Sequence, residues 1–300
     1  MDKHFNSYKL EYLEYLGSAR NISSNTLRAY TKDLNVLADF LNVENLDFKK
    51  LDPRNVRAFA GSLNRRNLKE SSVNRIISSI KSFYKYCIKN DILEINPFSH
   101  VRSLGSTRKI PDILSFDEIN NMIELTDNTF LGIRDRVILE MLYSTGCRVS
   151  ELVFLKVTDI DIKKRMALVY GKGGKSRWVF LTSGTASVLA SYMLLRKEKI
   201  AGSSQSEDFM LILNRNGYGI SARGIRFIIN KYINAIGISK HVSPHTFRHT
   251  FATHMLNNGA GIRIVQEMLG HSSIATTQIY THIGIDKLKD VYRIAHPHGR

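Results

Sequence analysis

A short segment at residues 243–255, SPHTFRHTFATHM, contains three histidines and one arginine. Such a group could bind a metal ion, form the polar face of a structural helix, or hold an anion. If the segment is helical, His245 and Arg248 lie one turn apart on the same face, beside His249. An imidazole exchanges a proton near neutral pH and a guanidinium stays charged, so this face could act on an anionic group.

The metal and structural alternatives make different demands on this segment. A zinc hydrolase with related spacing carries a glutamate directly after its first histidine, where this chain has Thr246. Arg248, between the would-be ligands, would also repel a divalent cation, so we predict no metal site. A polar helix face without a chemical role stays an alternative for the segment taken alone.

Four further segments carry side chains of the same chemical kind. Arg148, in TGCRVSEL, stands at the start of a predicted helix, with Glu151 one turn later. Lys172 lies in the glycine-rich turn YGKGGKS between two predicted strands. His271 follows a glycine that can end a helix, and Tyr280 lies nine residues later in a short polar helix. Together these residues offer cations, proton carriers and a phenol.

Each of these segments also has an ordinary explanation. Arg148 and Glu151 could form a simple ion pair, and Lys172 could be a solvated turn residue. Tyr280 could be a half-buried aromatic side chain. The glycine turn also resembles the end of a nucleotide-binding loop, but that motif requires a glycine where Val169 stands and a helix afterwards. We therefore do not predict an ATPase.

The composition of the 300-residue chain is typical of a soluble globular protein with an anionic partner. The chain is 43% hydrophobic and 23% charged, with a net charge of +16. The basic excess is +6 over residues 1–105 and +10 over 106–300, which favours a polyanion held from two sides. Two cysteines and the absence of a long apolar run predict a cytoplasmic protein without a membrane span.

Hydrophobic periodicity divides the chain into two predicted domains. Residues 1–95 show helical spacing throughout and form a predicted four-helix unit. Residues 96–114 contain two prolines and a glycine, which indicates a linker. Residues 115–300 mix helices with strand-like alternation over 157–181, so we predict a mainly α protein of the α+β class.

Basic side chains on these elements are candidates for contacts with a phosphate backbone. A solvated polar face is the alternative for any one of them. The candidates are Arg28, Lys32, Arg65, Arg66, Arg75, Lys81, Lys175 and Arg177.

Taken together, the chemistry-bearing residues resemble the active site of the tyrosine recombinase, or integrase, family. The matching positions, in order and approximate spacing, are Arg148, Lys172, His245, Arg248, His271 and Tyr280. The resemblance covers essentially the whole chain. Within the family the chain is similar to the bacterial Xer branch, nearer XerD than XerC, through MLYSTGCRVSEL at 141–152 and the tail at 296–300. Cys147 and Gly174 depart from the residues usual in this branch, and neither is an active-site position.

This resemblance implies a fold and a domain arrangement. Residues 1–95 would form a four-helix, SAM-like core-binding domain that clamps DNA, and 96–114 would link it to the second domain. Residues 115–300 would form a mixed α/β catalytic domain with a small antiparallel sheet. Its tail, 283–300, would contact a neighbouring subunit.

The implied reaction is cleavage of a DNA phosphodiester. Arg148 and Arg248 would clamp the scissile phosphate, with His271 as a third donor. Tyr280 would attack phosphorus and form a 3′-phosphotyrosyl intermediate. Because the covalent link conserves the energy of the broken bond, neither a metal nor a nucleotide cofactor is expected.

Three further residues would support this reaction. His245 would take or relay the proton of the phenol, and Lys172 would supply a proton to the leaving 5′-hydroxyl. Glu151 would orient its neighbours without a chemical role of its own.

The Xer resemblance also implies partners and a biological role. The expected assembly is a homo- or hetero-tetramer with an XerC-like sister recombinase on two synapsed double-stranded DNA sites, regulated by an FtsK-type translocase. Strand exchange through a Holliday junction would resolve chromosome dimers at a dif-like site. A mobile-element integrase or resolvase shares this chemistry and is the main alternative. A type IB topoisomerase and a catalytically silent DNA-binding protein are the other two.

Overall fold

The chain divides between residues 109 and 110 into two units, each with its own hydrophobic cluster. The computed structural model describes residues 3–20, 22–105, 112–171, 174–201, 209–270 and 284–299. Inside these ranges, no helix combines the length and the apolar character that a membrane span needs.

Four helices build the first unit. Their bounds are α1 Lys3–Ser18, α2 Ser24–Val43, α3 Pro53–Arg65 and α4 Glu70–Lys89. The side chains of Ser23 and Asp52 accept backbone N–H groups at the starts of α2 and α3, and Pro53 occupies the first turn of α3. The predicted four-helix unit is confirmed.

Aromatic rings fill the centre of the first unit. The Phe5 ring lies 5.5 Å from that of Phe48 and 5.4 Å from that of Phe83, in edge-on arrangements that aromatic pairs prefer. Tyr12 is also buried, whereas Leu10 of α1 is 58% exposed. The buried face of α1 therefore consists of Phe5, Tyr12 and Leu16.

The described beginning of the predicted linker packs on the first unit. Phe98 is fully buried between the rings of Phe59 and Tyr84. The Asn74 side chain accepts the Leu104 backbone N–H at 2.7 Å and donates to its carbonyl at 2.9 Å. These contacts hold the chain against α4 as far as residue 104.

The second unit combines eight described helices with three short strands. The helices are α5 Phe116–Glu124, α6 Phe130–Thr145, α7 Val149–Val153, α8 Ser183–Ala201, α9 Ala222–Ala235, α10 Pro244–Asn257, α11 Ile262–Leu269 and α12 Ile285–Ala295. The strands are β1 Ile160–Asp161, β2 Met166–Tyr170 and β3 Ser176–Phe180, in the antiparallel order β1-β2-β3. The predicted fold class, mainly helical with a small antiparallel sheet, is confirmed.

Helix α6 forms the centre of the second unit. It packs against α5, α8, α9 and α10, and every residue from Val137 to Thr145 is buried. The predicted strand pattern near Val157 was wrong in one detail, because residues Val157–Asp159 form a short 3-10 helix before β1. The Phe247, Phe251 and Met255 side chains of α10, which are four residues apart along the helix, are buried and form its apolar face.

The last described helix, α12, packs on α10 and β3. The Tyr292 hydroxyl donates to the Ser144 carbonyl at 3.0 Å, and the Asn258 amide donates to the Ala295 carbonyl at 2.8 Å. His296 follows the helix and is buried against the ring of Tyr143. Burial lowers the pKa of the His296 imidazole to about 3, so the folded protein holds it neutral.

The burial of His296 predicts that the second unit loses stability on acidification. Below its ordinary pKa of 6.5 the unfolded chain takes up a proton that the folded imidazole refuses until about pH 3. Between about pH 7 and pH 5, this residue should remove about 2 kcal/mol from the free energy of unfolding. Urea unfolding monitored through Trp178, the single tryptophan, measures this in the second unit.

The matched variant is His296→Gln, in which the amide cannot titrate. Its free energy of unfolding should fall less between the two pH values than that of the wild type. An equal fall in both proteins would contradict the assignment of this pH dependence to His296.

Candidate active site

The carboxylate of Glu151 lies at the centre of the predicted site. Its side chain is 1% exposed and accepts the backbone N–H and Nη1 of Arg148, both at 2.8 Å. It also accepts Nη1 and Nη2 of Arg177, at 2.9 and 2.8 Å. Burial alone would raise the pKa of the Glu151 carboxyl, but the hydrogen bonds and charge of the two arginines hold it below its usual range. Glu151 is therefore a buried, charged anchor for two guanidiniums.

Three guanidiniums converge on the C-terminal end of α11. Arg177 Nε donates to the carbonyl of Met268 at 2.8 Å, and Arg248 Nη2 donates to that of Leu269 at 2.6 Å. Arg148 Nη2 lies 3.4 Å from the carbonyl of Gly270. The last carbonyls of a helix lack intrahelical partners and carry partial negative charge, so they attract cations. Three consecutive residues thus bring three arginines to one place.

Arg248 is less exposed to solvent than Arg148 and Arg177. It is buried on α10, and its Nη1 donates to the Gly146 carbonyl at 2.8 Å. Burial, and then the positive charges of Arg148 and Arg177, lower the pKa of the Arg248 guanidinium to about 10. The side chain stays charged at neutral pH, and its two carbonyl contacts fix its plane.

His245 lies on the exposed face of α10, one turn before Arg248. Helix α10 begins at Pro244, after the Ser243 side chain accepts the Thr246 backbone N–H. Partial burial, and then the charges of His249, Arg248 and Arg148, lower the pKa of the His245 imidazole. The imidazole is therefore neutral near pH 7 and able to accept a proton.

The structure brings together Arg148, Glu151, His245 and Arg248 from the sequence prediction. Lys172, His271 and Tyr280 lie outside the described residues. The structure describes the strands on either side of the Lys172 turn, β2 and β3, which pair as a hairpin. It also describes α11, which ends shortly before His271. Arg148 is 37% exposed, so this cluster of fixed positive charge is open to an anion from solvent.

The candidate DNA contacts fall into two groups. The side chains of Arg28, Lys32, Arg65, Arg66 and Lys175 are exposed. Arg75 Nη1 instead lies 2.5 Å from both oxygens of the buried Asp33 carboxylate, and Lys81 Nζ donates to the Val101 carbonyl at 2.7 Å. Arg177 is 13% exposed and bound to Glu151 and Met268. The last three have internal partners that sequence spacing alone did not indicate.

Metal-ligand side chains do not cluster in the described ranges. There, no group of three or more histidine, cysteine, aspartate or glutamate side chains is arranged to hold an ion. The positive charge at the site comes from arginines, which bind oxyanions directly through paired N–H groups.

Two family models match most of the chain. Residues 112–285 match the phage integrase family, and residues 10–91 match the phage integrase N-terminal SAM-like domain. The chain belongs to the phage integrase family of tyrosine recombinases. The predicted family is thereby confirmed.

Full-length relatives agree with this membership. The recombinase is 40% identical over 288 residues to a tyrosine recombinase XerC of Oceanobacillus iheyensis, with 95% of this chain and 94% of the relative covered. It is 36% identical over 289 residues to a tyrosine recombinase XerD of the same organism, with 96% and 97% covered. The enzyme class predicted from sequence, a site-specific tyrosine recombinase, is confirmed. These two relatives do not separate XerC from XerD, so the closeness to XerD stays a prediction.

A solved structure has the same fold. The XerH site-specific recombinase bound to a palindromic difH substrate, a post-cleavage complex, superposes with a TM-score of 0.71 at 22% identity. The match covers 92% of the recombinase and 81% of that chain.

The turn before Arg148 predicts an effect of substitution at Gly146. This residue ends α6 at φ +57°, and a Cβ there would lie 2.6 Å from the buried Phe251 ring. Gly146→Ala should lower the free energy of unfolding by about 1 kcal/mol for the left-handed backbone and by about 1–3 kcal/mol more for the overlap. Urea unfolding followed by Trp178 fluorescence measures the total.

Gly259→Ala is the matched control, since Gly259 has φ +88° but nothing within 4 Å of the position that a Cβ would take. It should show the backbone cost alone. Equal losses in the two variants would contradict the close packing of Phe251 on Gly146.

Proposed function

We propose that the recombinase breaks and rejoins DNA through Tyr280, with the scissile phosphate held between Arg148 and Arg248. The observation that carries this proposal is that the two guanidiniums lie against the carbonyls of adjacent residues at the end of α11. Arg248 donates to Leu269 and Arg148 to Gly270. The chain continues from that point toward His271 and Tyr280. A phosphate bound to both arginines would therefore lie next to the segment that carries the nucleophile.

The charge of the cluster fits the charge of the reaction. Among the described residues, Arg148, Arg177 and Arg248 face one carboxylate, that of Glu151, and their net charge is +2. A phosphodiester carries one negative charge, and attack by a phenolate brings the phosphoryl centre toward about −2. Positive charge held rigidly before the reaction stabilises the charge that develops in it. We propose that no metal or nucleotide cofactor takes part.

The proton transfers follow from the local pKa shifts and the sequence. His245, held neutral beside two cations, is the base that accepts or relays the Tyr280 proton. Lys172, in the turn after β2, would protonate the 5′-oxygen that leaves, and His271 would donate to the phosphoryl group. Glu151 orients Arg148 and takes no part in the chemistry.

The biological role proposed is resolution of chromosome dimers at a dif-like site in the cytoplasm. The high coverage by Xer relatives supports this role, and the XerH neighbour is described as bound to a difH substrate. Four protomers, including an XerC-like sister, would act on two sites under an FtsK-type translocase, with the tail 283–300 in subunit contacts. The second domain would begin near 115, after the linker 96–114. Exposed Arg28, Lys32, Arg65, Arg66 and Lys175 would contact DNA phosphates.

The covalent step is tested with Tyr280→Phe. A DNA substrate nicked near the scissile phosphate loses its short fragment after cleavage, so the covalent complex accumulates and survives denaturing electrophoresis. Wild-type protein should form this complex, with the DNA linked to the peptide that contains Tyr280. The Tyr280→Phe variant should bind the same DNA and form none, because no phenol oxygen is present.

A covalent complex in the variant, or linkage at another residue, would refute the proposed nucleophile. Recombination between two sites, without relaxation of a one-site supercoiled plasmid, separates the recombinase reaction from that of a topoisomerase.

The state of His245 predicts the acidic side of the pH profile. Because the neutral imidazole is the active form and its pKa lies below 6.5 in the free protein, the rate of covalent complex formation should be maintained at neutral pH. It should fall as pH drops below about 6.5. His245→Gln should slow cleavage by roughly 100-fold or more and flatten this decline.

Rates are measured in single turnovers at DNA concentrations below saturation, where the profile reports the pKa of the free protein, over about pH 5 to 8. The exposed His241, outside the cluster, offers the control His241→Gln, which should keep the wild-type profile. An unchanged acidic decline in His245→Gln would exclude His245 as the titrating base.

A further inference from the structure

Arg177 lies on β3, outside the set of residues that the sequence indicates for catalysis. Its side chain is 13% exposed, and each of its three guanidinium nitrogens donates a hydrogen bond within the protein. Nη1 and Nη2 donate to the two oxygens of Glu151, and Nε donates to the Met268 carbonyl. Three of its five N–H donors are therefore used inside the protein.

We propose that Arg177 is a positioning residue of the active site, which aligns Arg148 through Glu151 and fixes the end of α11 from which the His271 segment continues. The inference rests on the proposed function, because it concerns the alignment of the phosphate clamp. It replaces the predicted role of Arg177 in DNA binding.

The two carboxylate oxygens of Glu151 share the hydrogen bonds from Arg148 and Arg177 equally. Each oxygen accepts one N–H from Arg177 and one from Arg148, so the carboxylate is held in the plane of the Arg177 fork. Arg148 is 37% exposed, and its Nη1 is bound to Glu151. Without Arg177, Glu151 would keep one charged partner and could rotate toward it. The direction of the Arg148 guanidinium would then be lost.

The second part follows from packing at Gly270. A Cβ at this glycine would lie 3.0 Å from Cδ of Arg177 and 3.2 Å from its Nη1, so the backbone lies directly against the side chain. Gly270 has φ +64° and ends α11, and His271 is the next residue. Arg177 thereby connects three elements: α7 through Glu151, the Lys172 hairpin through β3, and the exit of α11.

Lysine cannot reproduce this arrangement. Its ammonium is a single point charge, whereas the site needs a planar fork for two carboxylate oxygens and a third donor for a carbonyl. Arg177→Lys keeps the positive charge and removes the geometry. Arg177→Gln removes both.

The test compares DNA affinity with the rate of covalent complex formation on the nicked substrate. Arg177→Lys should bind the DNA within about threefold of wild type, since its charge is kept and the side chain does not contact phosphate. At saturating DNA it should cleave roughly 100-fold more slowly, which is the scale for misplacement of a catalytic group by about 1 Å. Arg177→Gln should be slower still. Lys197→Gln, which removes an exposed charge from α8, should match wild type in cleavage rate.

A double variant separates alignment from general loss of structure. If Arg177 acts through Glu151, Arg177→Lys combined with Glu151→Gln should cleave at nearly the rate of the slower single variant. Additive losses would overturn the alignment of Arg148 through Glu151, and a wild-type cleavage rate in Arg177→Lys would overturn the proposal as a whole. A variant that loses affinity and recovers the wild-type rate at saturating DNA would identify Arg177 as a phosphate contact instead.

Protein stability is followed in the same samples by urea unfolding. A variant that unfolds before DNA is added would be replaced by Glu151→Asp, which keeps the charge and shortens the link between the two arginines. It should show the same slow cleavage with retained affinity, and a wild-type rate would again refute the alignment role. Absence of a covalent complex in the wild type would refute the proposed function itself, and the inference with it.

Discussion

The active site depends on holding several positive charges together before any anion arrives. Two unit charges about 4 Å apart repel by about 4 kcal/mol at the effective dielectric typical of a protein surface. The protein offsets this repulsion with one buried carboxylate, Glu151, and with the carbonyls of three consecutive residues at the end of α11. These acceptors reduce the repulsion and also fix directions, because each guanidinium donates along defined lines.

This arrangement explains why charged side chains are buried in a region that could have been apolar. A buried carboxylate is costly alone, and it is tolerated here because four N–H donors meet its two oxygens. Arg248 is also buried, and its carbonyl partners, Gly146 and Leu269, come from two different elements. The benefit is preorganisation: the donors need little rearrangement when charge develops on a bound phosphate.

The rest of the second unit supports this geometry through its packing. Every residue of α6 from Val137 to Thr145 is buried, and the cap at Gly146 places the Arg148 turn directly against α10. The Phe251 ring fills the space at that turn, and α12 packs on α10, with the Tyr292 hydroxyl donating to the Ser144 carbonyl near the end of α6. The positions of Arg148 and Arg248 therefore depend on the apolar contact between Gly146 and Phe251, two and three residues away along the chain.

The sequence by itself determined the local elements of the fold and part of the set of residues in the site. Helical spacing, the caps at Ser115 and Ser243, and the glycine turns defined local elements, because each of these signals acts within a few residues of chain. Residue types made Arg148, His245 and Arg248 candidates, and the resemblance to tyrosine recombinases gave them predicted roles. Tertiary structure decided what local spacing does not contain: Arg177 is bound to Glu151 from 26 residues away, and three arginines share the end of one helix. It also gave Arg75 and Lys81 internal partners, since a basic side chain's neighbours depend on how helices pack and not on its position in the sequence.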